Sequence, residues 1–186
     1  MRDEPLFYIW PVDVKSPTYT HSRTTDECYI EYITNCINSC VDVVPYCPTL
    51  RSLILPRRRV RPMRGSPWMI GGRRLSGEPT RIGAVRHFEH DTGIVLAPER
   101  LQFIGINEYL FHDREQYPQN IPCHSQCTMF AVALKSDEQS RMNRMRNTIE
   151  YTSDETQLYD WEMLQQAEIH PAIRGCWMKI FEDAIC

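Results

Sequence analysis

The stretch that most constrains the fold is GGRRLSGEPTRIGAVRHFEHDTGI, residues 71 to 94. A glycine-rich turn leads directly into a segment with helical periodicity. Pro79 suits the first turn of a helix, apolar residues recur at helical spacing from Ile82 to Phe88, and Gly93 is placed to end the helix. We therefore predict a loop that is followed by a helix over residues 79 to 93.

The rest of the chain alternates between helix and strand patterns. Thr24 and Glu27 form a capping-box pattern, and isoleucines at helical spacing follow it, which predicts a helix from about 26 to 38. Apolar and β-branched runs predict an antiparallel pair of strands, CVDVVPYC with LRSLILPR, and two further strands, RLQFIGINEYLF and CTMFAVAL. The segment DEQSRMNRMRN predicts a short exposed helix in an insertion, and the C-terminal segment predicts two helices that meet at His170. This order of elements indicates an α+β fold built in layers.

The length and composition predict one domain in an aqueous compartment. A chain of 186 residues buries one ordinary core, so we expect a single domain over residues 25–186 after a leader over residues 1–24. No apolar run reaches the ~18 residues of a membrane span, and the N-terminus has acids and prolines where a signal peptide has a basic start and an apolar centre. We expect a cytoplasmic protein without a membrane partner, whose eight cysteines are reduced and mostly buried.

Arginine is concentrated in one segment. Residues 51–86 hold ten arginines, no lysine and a single acid, Glu78. Clusters of arginine alone are typical of planar, bidentate recognition of phosphate oxygens. A solvated face whose side-chain stems pack on the domain is the alternative. The acidic remainder of the chain, and the lack of a basic motif interleaved with aromatic residues, argue against a nucleic-acid partner.

The glycine-rich turn and its helix also match a known signature. The Nudix box is G-x5-E-x7-R-E-U-x-E-E-x-G-U, where U is a bulky aliphatic or aromatic residue, and six of its fixed positions occur without a gap: Gly72, Glu78, Arg86, Phe88, Gly93 and Ile94. The three helix carboxylates of the box are replaced by His87, His90 and Asp91, so the box is degenerate. The segment resembles the Nudix hydrolase superfamily, which implies an α/β/α sandwich with a mixed sheet between helices.

Within that superfamily the chain is most similar to the GDP-mannose mannosyl hydrolases, over roughly residues 25–175. The similarity rests on the basic segment before the box, RPMRG at 61–65, and on the GGR turn, Gly71-Gly72-Arg73. Asp91 corresponds to the retained final carboxylate, and Asp42 to an aspartate in the first strand. Near the C-terminus, Tyr159-Asp160-Trp161 matches a Y-x-W that is followed by a helix and a histidine, here His170.

The resemblance implies metal-assisted hydrolysis of a nucleoside diphosphate sugar, such as GDP-mannose, or of a related nucleotide diphosphate. Asp91 and the Gly71 carbonyl would hold Mg or Mn together with the substrate phosphates. The diphosphate would be clamped by Arg73 and by arginines of the basic segment, namely Arg57, Arg58 and Arg61. Asp42 would support the metal and the catalytic loop, so the implied catalytic residues are Arg73, Asp91 and Asp42.

Alternatives for the metal remain open. Positions 87, 90 and 91 share one helix face, and two imidazoles with one carboxylate suit Mn, Fe, Ni or Zn better than Mg. A transition metal held by His87, His90 and Asp91 is therefore a second possibility. A helix that is kept for packing and has lost its metal is the third.

The general base and the class of function also stay open. The family's catalytic histidine falls on Thr156, which cannot accept a proton at neutral pH, and the candidate substitutes are Glu155, His124 and His170. The chain is then either a hydrolase or a catalytically impaired Nudix-fold module that binds a nucleotide ligand or a protein partner without turnover. A homodimer that forms through the N-terminal helix and the apolar leader is also open.

Overall fold

The structure is a computed structural model that describes residues 25–153, 155–166 and 168–182. The predicted leader over residues 1–24, including Thr24, lies outside the described residues. The first helix, α1 (Asp26–Asn35), is capped by Thr25, whose hydroxyl accepts a hydrogen bond from the Cys28 N–H at 3.3 Å. It ends three residues earlier than predicted, because the first strand already begins at Asn38.

A mixed six-stranded sheet forms the middle layer. Its order is β4-β5-β1-β2-β6, and β3 pairs with β1. The strands are β1 (Asn38–Cys47), β2 (Ser52–Leu55), β3 (Ile70–Arg73), β4 (Gln102–Phe111), β5 (Cys123–Ala133) and β6 (Gln157–Tyr159). β1 runs parallel to β5, and the other pairs are antiparallel. The predicted antiparallel pair β1–β2 and the two further strands β4 and β5 are confirmed. The sequence does not predict β3 and β6, which are too short to show an alternating pattern.

Helices flank the sheet. They are α2 (Thr80–Thr92), α3 (Ser136–Met142), α4 (Trp161–Leu164) and α5 (Pro171–Phe181). The prediction for α2 is confirmed: Pro79 is its N-cap, and Gly93 ends it at a left-handed φ of 72°, a conformation that favours glycine. The predicted short helix α3 is confirmed, and most of its residues are exposed, but Glu138 and Met142 are buried, and the Glu138 carboxylate accepts two hydrogen bonds from the Arg100 guanidinium.

The residues of β1 alternate between two cores. Val41 and Val43 pack with Phe88 of α2, whereas Cys40 and Val44 pack with Trp177 of α5. The α/β/α sandwich with a mixed sheet is therefore confirmed. Four of the seven cysteines in the described residues are buried, as predicted. In the part of the chain that the structure describes, no helix has the length and apolar character needed to cross a membrane.

Candidate functional site

The turn before α2 is tied to the helix by Glu78 and Arg86. Arg86 donates from Nε to Oε1 of Glu78 at 2.6 Å and from Nη2 to Oε2 at 2.9 Å. The same carboxylate accepts the Leu75 N–H at 3.0 Å. Burial alone would raise the pKa of Glu78, but the hydrogen bonds from Arg86 and Leu75 outweigh it and lower that pKa. This pair braces the loop against the helix and is structural in the first place.

Asp91 is the centre of a hydrogen-bonded group near the C-terminal end of α2. It is 3% exposed, and its Oδ1 accepts from His90 Nδ1 at 2.7 Å and from Asn147 Nδ2 at 2.8 Å. Its backbone carbonyl accepts the N–H groups of Arg146 and Asn147 at 2.8 and 3.0 Å. In the neutral tautomer that donates from Nδ1 to the Asp91 carboxylate, Nε2 on the other edge of the His90 ring is an acceptor.

A groove of about 510 Å³ runs along α2 beside this group. Its lining residues come from the helix and from the segment 146–149: Arg86, Glu89, His90, Arg146, Asn147, Thr148 and Ile149. Arg59 closes one wall by donating to the Thr148 carbonyl at 2.6 Å. The volume lies in the range of small-molecule sites. The groove thus combines two guanidinium groups, an exposed imidazole and an apolar side chain.

His87 faces the turn before the helix. Its Nε2 lies 2.9 Å from the Arg73 carbonyl, and a Cβ added at Gly72 would lie 2.6 Å from His87 Cε1. Burial lowers the pKa of His87, so the ring is neutral and donates to that carbonyl. His87 therefore packs the turn onto α2, while His90 lies in the groove.

Asp42 and Gly71 are neighbours across the pair β1–β3. They are register partners, and a Cβ at Gly71 would lie 2.5 Å from Asp42 Oδ1, so only glycine fits at this point. Asp42 is buried, and burial raises its pKa to about 6. It alternates with Val41 and Val43, so its side chain lies on the sheet face that is turned away from α2. The structure brings Asp42 to Gly71 but places it on the other face from Asp91.

The predicted phosphate-binding arginines contact protein groups. Arg57 Nε lies 3.3 Å from Glu155, Arg58 Nη2 lies 3.5 Å from Glu150, and Arg61 Nε lies 3.6 Å from Glu115. Acidic side chains from outside the basic segment thus pair with its arginines. The Arg73 guanidinium lies against the Tyr29 ring of α1, with Cζ 4.8 Å from the ring centroid.

The candidate bases also have other partners. Glu155 pairs with Arg57, and His124 Nε2 lies 2.7 Å from Glu108 Oε1. His170 caps α5, where its Nδ1 accepts the Ala172 N–H, and the Thr156 hydroxyl donates to the Met142 carbonyl. None of these four side chains lines the groove along α2.

Sequence reasoning missed Arg146 and Asn147. Asn147 lies 56 residues after Asp91, in the segment interpreted as an exposed insertion. It belongs to no motif and has no periodicity that would place it beside α2. The one signal in the sequence is that Asn147 follows the predicted helix α3 by only a few residues, so the chain could turn back there toward the rest of the domain.

Comparison with solved structures identifies the architecture. A MutT NUDIX hydrolase from Burkholderia pseudomallei aligns with a TM-score of 0.58 at 15% identity, over 77% of this chain and 97% of that one. The MutT protein from Methanosarcina mazei Go1 aligns with a TM-score of 0.56 at 16% identity, over 80% and 95% of the two chains. The chain has the Nudix fold.

Other comparisons add less. A MutT/nudix family protein from Enterococcus faecalis aligns with a TM-score of 0.44 at 17% identity over 58% of this chain, which spans less than half (42%) of that protein's length. No protein-family model matches the sequence, and no curated protein matches it significantly. The two alignments with TM-scores above 0.5 show the Nudix fold and no more. Helix α2 carries the degenerate box and is therefore called the Nudix helix.

The Nudix fold implies a divalent cation, and the arrangement at the Nudix helix does not fit one. Within the residues that the structure describes, no three His, Cys, Asp or Glu side chains are grouped to hold a metal ion. Asp91 Oδ1 already accepts from His90 and Asn147, and His87 Nε2 is bonded to the Arg73 carbonyl. The positions of the box carboxylates therefore leave a cation only Asp91 Oδ2 and His90 Nε2 as side-chain ligands, which is fewer than a metal site needs.

Proposed function

We propose that the protein hydrolyses a nucleotide diphosphate, with a nucleoside diphosphate sugar of the GDP-mannose type as its substrate class, in the groove along the Nudix helix. The observation that carries this proposal is the 2.7 Å hydrogen bond between His90 Nδ1 and Asp91 Oδ1. It orients the exposed imidazole and leaves Nε2 as a proton acceptor in the groove. His90 then supplies the general base that the sequence does not reveal.

The reaction is a displacement by water at the sugar carbon. A water oxygen forms a bond to the carbon that carries the diphosphate, and the bond between that carbon and the phosphate oxygen breaks. His90 Nε2 takes the proton of the attacking water, and the nucleoside diphosphate leaves with the electron pair. Buried Asp91 stabilises the imidazolium that forms, as a carboxylate does beside a catalytic histidine.

The phosphates would bind to the cations of the groove. Arg146 projects from the segment 146–149, and Arg86 lines the opposite wall while it braces Glu78. Guanidinium groups bind phosphate oxygens bidentately and stabilise the charge of a leaving diphosphate. Arg146 is the first candidate to hold the diphosphate, because within the described residues it forms no salt bridge, whereas Arg57, Arg58, Arg61 and Arg86 are each paired with a glutamate.

A second candidate function is binding of the same nucleotide class without turnover. It is favoured by the degenerate box, where burial lowers the pKa of His87, His87 packs against the turn, and Oδ1 of Asp91 already accepts two hydrogen bonds. Such a site would hold a nucleotide ligand or a protein partner on the Nudix fold and release it unchanged.

Metal-assisted hydrolysis remains a prediction for the first candidate. It places Mg or Mn at Asp91 and the Gly71 carbonyl, or a transition metal at His87, His90 and Asp91. These versions need a bound metal for turnover, whereas hydrolysis with His90 alone as the base does not, so chelation separates them. A homodimer and a cytoplasmic location also remain predictions.

The test is a panel of nucleotide sugars incubated with the full chain, with and without added Mg, Mn or Zn. Released sugar and nucleoside diphosphate are measured by chromatography, and ligand binding is measured by calorimetry. His90→Gln should bind like the wild type and turn over at least ~100-fold more slowly, the lower range for a lost general base. His124→Gln is the matched control, because His124 forms an equally short bond to Glu108 outside the groove. Wild-type binding without turnover under every metal would favour the second candidate.

A further inference from the structure

The groove along α2 holds a carboxylate among its cations. Glu89 is exposed and lines the groove beside His90 and Arg86. These three residues share one helix face, because separations of three and four residues bring side chains together. In the part of the chain that the structure describes, Glu89 forms no salt bridge. Its carboxylate is therefore open to a ligand, and an ionised carboxylate only accepts hydrogen bonds.

Cations without an acidic partner lie at the C-terminal end of α2. Arg146 Cδ lies 3.7 Å from the position that a Cβ would occupy at Gly93, and Arg141 Nη2 donates to the Gly93 carbonyl at 2.6 Å. Neither arginine forms a salt bridge within the described ranges. Guanidinium groups bind phosphate oxygens in a bidentate manner, so this end of the groove suits a diphosphate.

The charge of the groove changes sign along the helix. The Gly93 N–H donates to the Glu89 carbonyl at 2.8 Å, so Glu89 lies one turn before the end where the two arginines meet. One turn is about 5 Å along the helix axis. On the N-terminal side of Glu89, Arg86 donates to both carboxylate oxygens of Glu78, so its charge is balanced within the protein. The groove is thus positive at Gly93 and negative one turn away.

We propose that Glu89 is a specificity-determining residue, which accepts hydrogen bonds from the sugar of the ligand and repels a further phosphate at the same place. This inference rests on the proposed function, in which the sugar carbon lies beside His90, the neighbour of Glu89. Hydroxyl groups form strong, charge-assisted hydrogen bonds with a carboxylate. A third phosphate would instead bring like charges together, which suppresses binding of the wrong partner. The groove therefore selects a nucleoside diphosphate sugar over a nucleoside triphosphate.

The charges also set the direction in which the ligand lies. The diphosphate contacts Arg146 and Arg141 at the C-terminal end of α2, and the sugar lies one turn toward the N-terminus. In the opposite direction the diphosphate would contact Glu89, and the sugar would leave the two guanidinium groups without an anion. The direction that satisfies both charges is the one that brings the sugar carbon to His90.

The test is calorimetric titration of the full chain with GDP-mannose, GDP and GTP at constant ionic strength. Glu89→Gln keeps the shape of the side chain and removes its charge. Relative to the wild type it should bind GDP-mannose about tenfold more weakly and GTP about tenfold more tightly, because it loses both the charge-assisted hydrogen bonds and the repulsion. GDP should bind within about threefold of the wild type, because solvent screens a charge that lies one turn away.

Two further variants separate this local effect from a general change in net charge. Glu99→Gln removes the same charge from an exposed carboxylate outside the groove, and it should bind all the ligands like the wild type. Glu89→Lys should bind GTP more tightly than GDP-mannose, which reverses the preference of the wild type. A ratio of GDP-mannose to GTP affinity that is equal in the wild type and Glu89→Gln, or no binding of GDP-mannose by the wild type, would overturn the proposal.

Chromatography of each sample after the titration keeps binding apart from turnover. Binding of GDP-mannose that depends on Glu89 without any release of sugar supports this inference and contradicts the proposed hydrolysis. Release of sugar by a Glu89→Gln variant whose ligand preference is unchanged supports the hydrolysis and contradicts this inference.

Discussion

Asn147 holds the same oxygen of Asp91 that His90 contacts. Its Nδ2 lies 2.8 Å from Asp91 Oδ1, and His90 Nδ1 lies 2.7 Å from that atom. Two donors on one oxygen fix the rotamer of the carboxylate and, through it, the direction of the imidazole. The segment 146–149 is therefore part of the site and not a peripheral insertion.

Removal of Asn147 should lower turnover without weakening substrate binding. Asn147→Ala frees the Asp91 carboxylate to rotate, so we expect kcat to fall about tenfold with KM nearly unchanged. Removing a residue that orients a functional side chain through a hydrogen bond has effects of about this size in metal sites. Asn143→Ala, at the exposed C-cap of α3, is the control. A rise in KM with unchanged kcat would show that Asn147 contacts the ligand and does not position His90.

Asp42 should make stability depend on pH. Its pKa is raised from 3.8 to about 6 by burial, so between these values the native protein binds more protons than the unfolded chain. The free energy of unfolding contributed by Asp42 is therefore largest below pH 4 and falls as pH rises to about 6. Asp42→Asn should match the wild type near pH 4 and be more stable by about 2–3 kcal/mol at pH 7.

Urea unfolding of both proteins at the two pH values measures this effect. The relevant quantity is the difference between the variant and the wild type, because it cancels the titration of all other groups. A difference that does not grow between pH 4 and pH 7 would contradict the assignment of a raised pKa to Asp42.

The brace between Glu78 and Arg86 should have the opposite pH dependence. The pKa of Glu78 is lowered, so its contribution to stability is complete above the unfolded pKa and is lost as pH falls through the folded value. Glu78→Gln should cost about 1 kcal/mol at pH 7, a small figure because Arg86 is partly exposed and screened by solvent. Chemical unfolding should show a larger loss at pH 7 than at pH 3.

Gly72 should be intolerant of a side chain because of His87. A Cβ at this position would lie 2.6 Å from His87 Cε1, so Gly72→Ala should destabilise the protein by about 1–3 kcal/mol, as overpacking does. In a His87→Ala background the same substitution should cost less, since the ring it strikes is gone. Thermal unfolding of the four proteins in this double-mutant cycle gives the coupling, and additive costs would show that the two positions do not touch.

The sequence predicts the parts of the fold that have periodic patterns. The residues that begin and end the Nudix helix, Pro79 and Gly93, can be recognised from the sequence. The long strands can be recognised because they are rich in apolar and β-branched residues. Strands β3 and β6 are short, and β3 contains Gly71 and Gly72, so neither has a pattern that could be recognised. α3 is amphipathic over too few residues to reveal that Glu138 faces Arg100 and lies buried.

The site is less predictable than the fold because its contacts join distant segments. The degenerate box directs attention to His90 and Asp91, but their hydrogen bond and the contribution of Asn147 depend on how the segment after α3 returns to α2. The contacts of the arginines are equally hard to predict from the sequence. Their number suggests phosphate binding, yet the sequence does not show which of them pair with glutamates, as Arg57 does, and which lie against a ring, as Arg73 does.

The most direct test of the account is single-turnover release of nucleoside diphosphate from a bound nucleotide sugar by protein treated with a chelator. If His90, oriented by Asp91, is the general base, the chelated wild type forms product and His90→Gln forms it at least ~100-fold more slowly with equal ligand affinity. Turnover that disappears on chelation, returns with Mg and is the same in His90→Gln would contradict it.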